Sequence, residues 1–130
     1  MMATRELAIL HFEDSRTTRE MVKRMFSKED IRVRSENTLY NCERYLQTHL
    51  ANDYQAIICD VMLPHRCAFD VFDVLADSGK PCIFYTSLDE DTFWRKVKKV
   101  LKKIPSNFKF IGKAKKDSFN DLRKQILTCV

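Results

Sequence analysis

The run Ala56-Ile57-Ile58-Cys59-Asp60 decides how the rest of the chain is read. Four consecutive apolar residues without alternation suit a strand covered on both faces, as in the middle of a parallel sheet. The run ends on an acid, and the C-terminal edge of such a sheet is where ligands bind. An ionised carboxylate is costly to bury without a partner, so Asp60 needs a reason for its position. Two readings stand: a strand-terminal Asp capping the next loop, or one member of a site built from several strand ends.

Outward from this run, strands and helices alternate. Leu7 to Phe12 is a mostly apolar strand, followed at once by Glu13 and Asp14. Ser15 is placed as the N-cap of a helix from Arg16 to about Phe26, with Met21, Val22, Met25 and Phe26 on its apolar side. Ile31 to Arg34 alternates apolar and basic residues, as a strand towards one edge would. Leu39, Cys42, Leu46 and Leu50 recur at helical spacing and predict a helix from Thr38 to Leu50. Leu63-Pro64-His65-Arg66 reads as a loop. Phe69 to about Ala76 is a short helix with Phe72 and Leu75 inward, stopped by Ser78-Gly79-Lys80-Pro81.

Cys82 to Thr86 is a second buried-type strand. Asp89-Glu90-Asp91 opens a helix reaching Ile104, with Pro105 beyond it and acids and lysines complementing its dipole. Phe93, Val97, Val100, Leu101 and Ile104 form its expected core stripe. Phe108 to Ile111 is a last strand, and Asp117 to about Thr128 a last helix with Phe119, Leu122, Ile126 and Leu127 inward. Five strands alternating with five helices through short connections predict one α/β domain over residues 1–130, with a parallel sheet and helices on both faces.

Composition agrees with one globular unit: 130 residues, 45% hydrophobic and 32% charged, are enough for a real core and too few for two ordinary ones. No apolar stretch approaches a membrane span, and the N-terminus lacks a signal-peptide pattern, so a cytosolic protein is expected. Cys42, Cys59, Cys67, Cys82 and Cys129 are odd in number and contain no C-x-x-C pair, which argues against zinc or a disulfide framework. Cys59 and Cys82 read as core residues; Cys67, in the loop after Asp60, is either inert or redox-active.

In a parallel sheet the C-terminal strand ends gather on one edge. That edge collects Glu13 and Asp14, Asp60, Thr86 and Lys113. Two like charges about 4 Å apart repel by about 4 kcal/mol at an effective dielectric of about 20, so three ionised carboxylates need a cation or a proton. A hard divalent ion such as Mg²⁺ (or Mn²⁺), completed by water and a phosphate, meets that need. Lys113 then offers positive charge to a phosphate oxygen and Thr86 a donor. Attack by a carboxylate on a phosphoryl group, forming an aspartyl-phosphate, is the chemistry that uses this set.

The segments F-E-D-S-R (12–16), I-I-C-D-V-M-L-P (57–64), F-Y-T-S (84–87) and F-I-G-K (110–113) stand in the order and spacing of a response regulator receiver domain, which the chain resembles along essentially its whole length. The resemblance, to the chemotaxis-regulator type of two-component signalling domain, implies a flavodoxin-like doubly wound sheet of order 2-1-3-4-5. It implies Asp60 as phosphoacceptor, and Glu13, Asp14, Asp60 and the backbone carbonyl of Met62 as metal ligands. Thr86 and Lys113 would contact the phosphoryl group. Phe110 matches the aromatic that moves inward with Thr86 on phosphorylation, or is an ordinary core aromatic.

The chain departs from the family in two loops. Ala114 follows Lys113 where the family has a Pro in a cis peptide. A cis bond before Ala costs roughly 3 kcal/mol, so a trans or reshaped loop is expected. The usual Gly after the phosphoacceptor is absent, the chain holding only Gly79 and Gly112. Met62 and Leu88, two residues after Asp60 and Thr86, flank the path of an attacking water. Polar residues there favour hydrolysis in the family, so these two should prolong the phosphorylated state.

Net charge is +5, from 23 basic and 18 acidic residues, which by itself does not argue for nucleic acid. Arg95, Lys96, Lys98, Lys99, Lys102 and Lys103 cover the fourth helix, with Lys109, Lys113, Lys115 and Lys116 nearby. This is either a solvated helix face or a surface that steers an acidic partner, with Trp94, Lys98 and Lys102 as its centre. The resemblance places the output face on the fourth helix, fifth strand and fifth helix. It implies a histidine kinase or phosphotransfer protein as donor and a downstream output protein as partner, with no effector domain in the chain. No reaction on another molecule is expected beyond the domain's own phosphorylation and dephosphorylation. The alternative is a pseudo-receiver, binding protein without being phosphorylated because its Lys loop is misplaced. A flavodoxin-like small-molecule binder or hydrolase ranks third, since no glycine-rich phosphate loop is present and the first acid motif, Glu13-Asp14, lacks the D-x-D arrangement of aspartyl phosphatases.

Overall fold

The computed structural model describes residues 6–48 and 52–130. The readings made for the extreme N-terminus and for Leu50 fall outside these residues. The chain runs β1 (Leu7–Phe12), α1 (Arg16–Ser27), β2 (Ile31–Glu36), α2 (Cys42–Gln47), β3 (Ala56–Cys59), a 3₁₀ turn (Ala68–Val71), α3 (Phe72–Asp77), β4 (Cys82–Thr86), α4 (Glu90–Leu101), β5 (Phe108–Gly112) and α5 (Ser118–Cys129). All strand pairs are parallel, in the order β2-β1-β3-β4-β5. That is the expected doubly wound sheet.

The central strands bury both faces because each face has its own layer of helices. Leu10, Phe12, Ile57, Cys59, Cys82 and Phe84 point to one side and meet Cys42 of α2, Phe72 and Leu75 of α3, and Phe93 and Val97 of α4. Ile9, Ile58, Ile83 and Ile111 point to the other and meet Val22 and Phe26 of α1 and Leu122 and Ile126 of α5. Residues i and i+2 of a strand share a face, so an all-apolar run fills two cores at once. Phe72 ties the first core together, its ring 5.4–5.8 Å from those of Phe69, Phe84, Phe93 and Phe108. Cys59 and Cys82 are buried within it, and burial pushes both thiols up.

Several boundaries differ from the periodicity. The second helix spans only Cys42–Gln47: Leu39 is buried from the turn before it, Asn41 makes no side-chain cap, and Thr48 is already extended. The segment after Asp60 enters α3 through a 3₁₀ turn. Helix α4 is capped by Asp89, whose carboxylate accepts from the Thr92 N–H at 3.1 Å, and it stops at Leu101 rather than Ile104. Lys102 takes a left-handed conformation there (φ 66°), its N–H bonding the Lys98 carbonyl. Ile104, beyond that end, is exposed, and so are Val100, Met21 and Leu127, which the helical pattern had placed inward. Each of these helices covers the sheet with a stripe narrower than its apolar content.

His11 carries no signal in the sequence, yet it is fully buried in β1. Alternation puts it on the α1/α5 face, with Ser35 and Ile58 opposite it on the neighbouring strands. Neither ring nitrogen has a hydrogen-bond partner among the described residues. Burial, with Lys113 and Arg19 adding to it, pulls the imidazole down to about 3, so it is neutral. Replacing an unsatisfied buried polar group with an apolar side chain of similar size removes its desolvation penalty, so His11→Leu should raise the unfolding free energy by about 1–3 kcal/mol. Urea titration of the two proteins checks this, and a loss of stability would mean that the ring is satisfied in solution.

Candidate functional site

Register places the acids. Phe12 lies opposite Cys59 in the β1–β3 ladder, so Glu13, Asp14 and Asp60 leave the sheet side by side. The Asp60 N–H donates to the Phe12 carbonyl at 2.9 Å, fixing the step between the strands. Carboxylate oxygens of Glu13, Asp14 and Asp60 come within 4.8 Å of one another. Thr86 lies opposite Gly112, and the Lys113 N–H donates to the Thr86 carbonyl at 2.8 Å, so Lys113 starts one step beyond β5. From there its ammonium reaches over β4. It lies 2.7 Å from Asp60 Oδ2, to which it donates, and forms an ion pair with Glu13 Oε1 at 2.6 Å.

Burial gives these contacts their weight. Glu13 is 1% exposed, Thr86 1% and Asp60 8%, whereas Asp14 is open to solvent. Burial pushes the Glu13 carboxyl up to about 7; Lys113 draws it back, and the charge on Asp60 adds to the rise. Burial pulls Lys113 down, but its pairs with Asp60 and Glu13 outweigh this and leave it above the ordinary lysine value. Asp60 Oδ1 accepts from the Val61 N–H at 2.7 Å, and Glu13 Oε2 from the Ser15 N–H at 3.2 Å. Three carboxylates against one ammonium leave a negative excess facing outward at Asp14. A hard cation fits that donor set.

Several supporting residues were not legible in the sequence. Arg19 of α1 donates from one guanidinium nitrogen to the carbonyls of both Glu13 (2.9 Å) and Asp14 (2.8 Å), holding the acidic loop from below. The loop after Lys113 contains no cis peptide. It is held by Ser118, whose hydroxyl donates to the Lys113 carbonyl at 3.2 Å and lies 2.9 Å from the Tyr85 hydroxyl. A Lys115 N–H to Gly112 carbonyl bond closes the turn. These links aim Lys113 without the Pro. Their only sequence signal is a strand Tyr and a helix-start Ser, which have many other uses.

The remaining residues named from sequence spread around this centre. The Thr86 hydroxyl accepts from the Leu88 N–H at 3.3 Å. Phe110 is half-buried at the rim of the first core, 5.2 Å from the Phe93 ring. Met62 is 60% exposed and Leu88 half-buried. Trp94 packs edge-on against Phe93 and donates its indole N–H to Glu90 at 3.1 Å, so it is tied to its own helix. Lys98 and Lys102 are exposed on the same flank.

A response regulator receiver protein from Pseudomonas putida superposes with a TM-score of 0.76 at 13% identity, covering 98% of this chain and 99% of that one. The receiver domain of HemR from Leptospira biflexa gives 0.71 at 20% identity, covering 95% of each chain. TrrA from Thermotoga maritima, solved in complex with Mg²⁺ and a beryllium fluoride, gives 0.69 at 16% identity, covering 95% and 99%. The fold is that of a response regulator receiver domain. No protein-family model matches the sequence, and no curated protein matches it. The receiver fold thus holds here at low sequence identity, with the acidic cluster at the sheet edge where the strand order reverses.

A carboxyl with a raised folded pKa is more readily protonated in the folded state than in the unfolded one. The contribution of Glu13 is thus complete below about 4.5 and lost as pH rises through about 7 in metal-free protein. A divalent cation held by the ionised cluster should reverse that loss. Mg²⁺ should raise the melting temperature more at about pH 8 than at about pH 5, and Glu13→Gln should flatten the difference. Equal shifts at both pH values in the parent protein would count against these carboxylates as the cation site.

Proposed function

We propose that the chain is a phosphoacceptor signalling domain of a two-component system or phosphorelay, taking a phosphoryl group on Asp60. The observation that carries this reading is the Lys113 ammonium seated between Asp60 and Glu13 at 2.7 and 2.6 Å, beside Asp14. A fixed cation and an acidic cluster on one strand-end carboxylate make a place for an incoming dianion and its counter-ion. The complex of TrrA with Mg²⁺ and a beryllium fluoride, on the same fold, supports the same use.

In this mechanism Asp60 attacks phosphorus in line with the leaving group. The new bond is Asp60 O–P, and the bond that breaks joins phosphorus to the imidazole nitrogen of a phosphohistidine donor. The imidazole leaves with the electron pair and is reprotonated. Glu13, Asp14, Asp60 and the Met62 carbonyl would hold Mg²⁺ (or Mn²⁺), which when bound supplies charge neutralisation to the transferring group. Lys113, which already donates to Asp60 Oδ2, shifts its bond to a phosphoryl oxygen. Thr86 turns its hydroxyl from the Leu88 N–H to another, and Phe110 moves with it against Phe93. That displacement would reshape the face of α4, β5 and α5 around Trp94, Lys98 and Lys102 for an output protein. The domain would act on no other substrate.

No helix among the described residues is long and apolar enough to cross a membrane; the donor in this proposal is a cytoplasmic histidine kinase or phosphotransfer protein. The alternative is a pseudo-receiver, which binds protein without being phosphorylated because its Lys loop is misplaced; the Lys113 contact with Asp60 supports the phosphoacceptor reading over it. Intact mass after incubation with a small-molecule phosphodonor and Mg²⁺ tests the proposal. One added phosphoryl group is expected, abolished by Asp60→Asn and by EDTA. No gain in folded, Mg²⁺-binding protein would leave the binding-only reading.

Met62 and Leu88, two residues after Asp60 and Thr86, carry no polar group to orient water. Met62→Asn or Leu88→Glu should shorten the life of the phosphorylated form by about threefold or more, a barrier change of roughly 0.7 kcal/mol. Decay followed by mass or by radiolabel checks it, and unchanged lifetimes would remove these side chains from the hydrolytic path.

A further inference from the structure

Helix α4 has two exposed flanks. The one towards β5 carries Trp94, Lys98 and Lys102. The other presents Thr92, Arg95, Lys96 and Lys99, which recur at i, i+3, i+4 and i+7 and so form one continuous stripe. This stripe walls a groove of about 450 Å³ whose floor is Met62, Phe69 and Leu88. That volume is within the range of about 300–1,000 Å³ typical of ligand and anchor pockets.

The floor and rim differ in chemistry. Met62 leaves 60% of its surface in water at the tip of a loop, an unfavourable place for a thioether unless something covers it. Phe69 and Leu88 are only partly covered by the first core. The Lys96 ammonium stands 5.2 Å from the centre of the Phe69 ring and is held there as part of the wall. Among the described residues no acid pairs with Arg95, Lys96 or Lys99. Of the acids at the start of the helix, Asp89 serves as the N-cap and Glu90 accepts from the Trp94 indole, while Asp91, one turn before Arg95, forms no ion pair with it. An adaptable Met on an apolar floor, walled on one side by cations without ion-pair partners, has the form of an anchor pocket. Its complement is an apolar side chain flanked by carboxylates.

We propose that this groove between α4 and the two loops after β3 and β4 docks an acidic, amphipathic segment of a protein partner, with one or two large apolar side chains on Met62, Phe69 and Leu88 and its carboxylates on Arg95, Lys96 and Lys99. A helix laid in the groove would match the spacing of the basic stripe. The groove is formed in the unphosphorylated protein, so the docking stands independently of the phosphoacceptor reading. It lies on the flank of α4 opposite Trp94, so one partner could occupy each.

The test is selection from a displayed library of random peptides about a dozen residues long on the intact, unphosphorylated protein. The enriched peptides are then measured by fluorescence anisotropy against variants shown by thermal melting to be folded. The expected winners carry large apolar residues among Asp and Glu. Their affinity should fall at least about tenfold, or 1.4 kcal/mol, in Met62→Asp and in Lys96→Glu/Lys99→Glu. It should hold within about twofold in Lys98→Glu/Lys102→Glu on the opposite flank, since rim charges outside the contact contribute little. Any of three results overturns the proposal: no enrichment, winners without acidic residues, or winners equally weakened by the two lysine pairs, which would mean diffuse charge attraction.

Discussion

The pairing of the Lys113 ammonium with Asp60 and Glu13 is the constraint that the strand-end edge of this molecule depends on. Like charges on two buried carboxylates of adjacent strands repel, and the ammonium between them offsets that repulsion. The lysine in turn tolerates burial because two acids share it. Each partner comes from a different part of the chain, so the contact exists only when β1, β3 and β5 are in register around β4. Local order at the site is therefore a report on the whole sheet.

The route by which Lys113 reaches that position is specific to this chain. With Ala114 in place of a proline, the loop is shaped by the Ser118 hydroxyl, the Tyr85 hydroxyl and the Lys115-to-Gly112 turn. Arg19 does the corresponding work for the acidic loop, binding carbonyls rather than carboxylates. Its charge therefore adds to the local field without neutralising a ligand. The result is an edge whose backbone is tied down on both sides while its outward oxygens, on Asp14 above all, stay open.

The surface around this edge divides according to α4. A basic stripe on each flank leaves the helix soluble while its buried Phe93 and Val97 hold it to the sheet. On the flank that carries Trp94, Trp94 and Phe110 both pack against Phe93 of the aromatic cluster. The flank towards α3 shares Met62 and Leu88 with the loops that border Asp60. One helix thus borders two separate surfaces.

The sequence by itself determined the layers and the order of elements. Runs such as Ile57-Ile58-Cys59 and Ile83-Phe84-Tyr85 have no face to turn to water, so helices must cover both sides. The acids, Thr86 and Lys113 stand at strand ends, where parallel topology collects them. Helix ends, the exposure of Met21, Val100 and Leu127, and the buried, unpartnered His11 were decided only by the tertiary structure. Periodicity records which residues could face a core but not how wide a stripe the sheet will cover. Contacts such as Arg19 to two carbonyls or Ser118 to Tyr85 leave no pattern in sequence, because they join distant residues through the backbone, whose hydrogen-bonding groups are the same at almost every position.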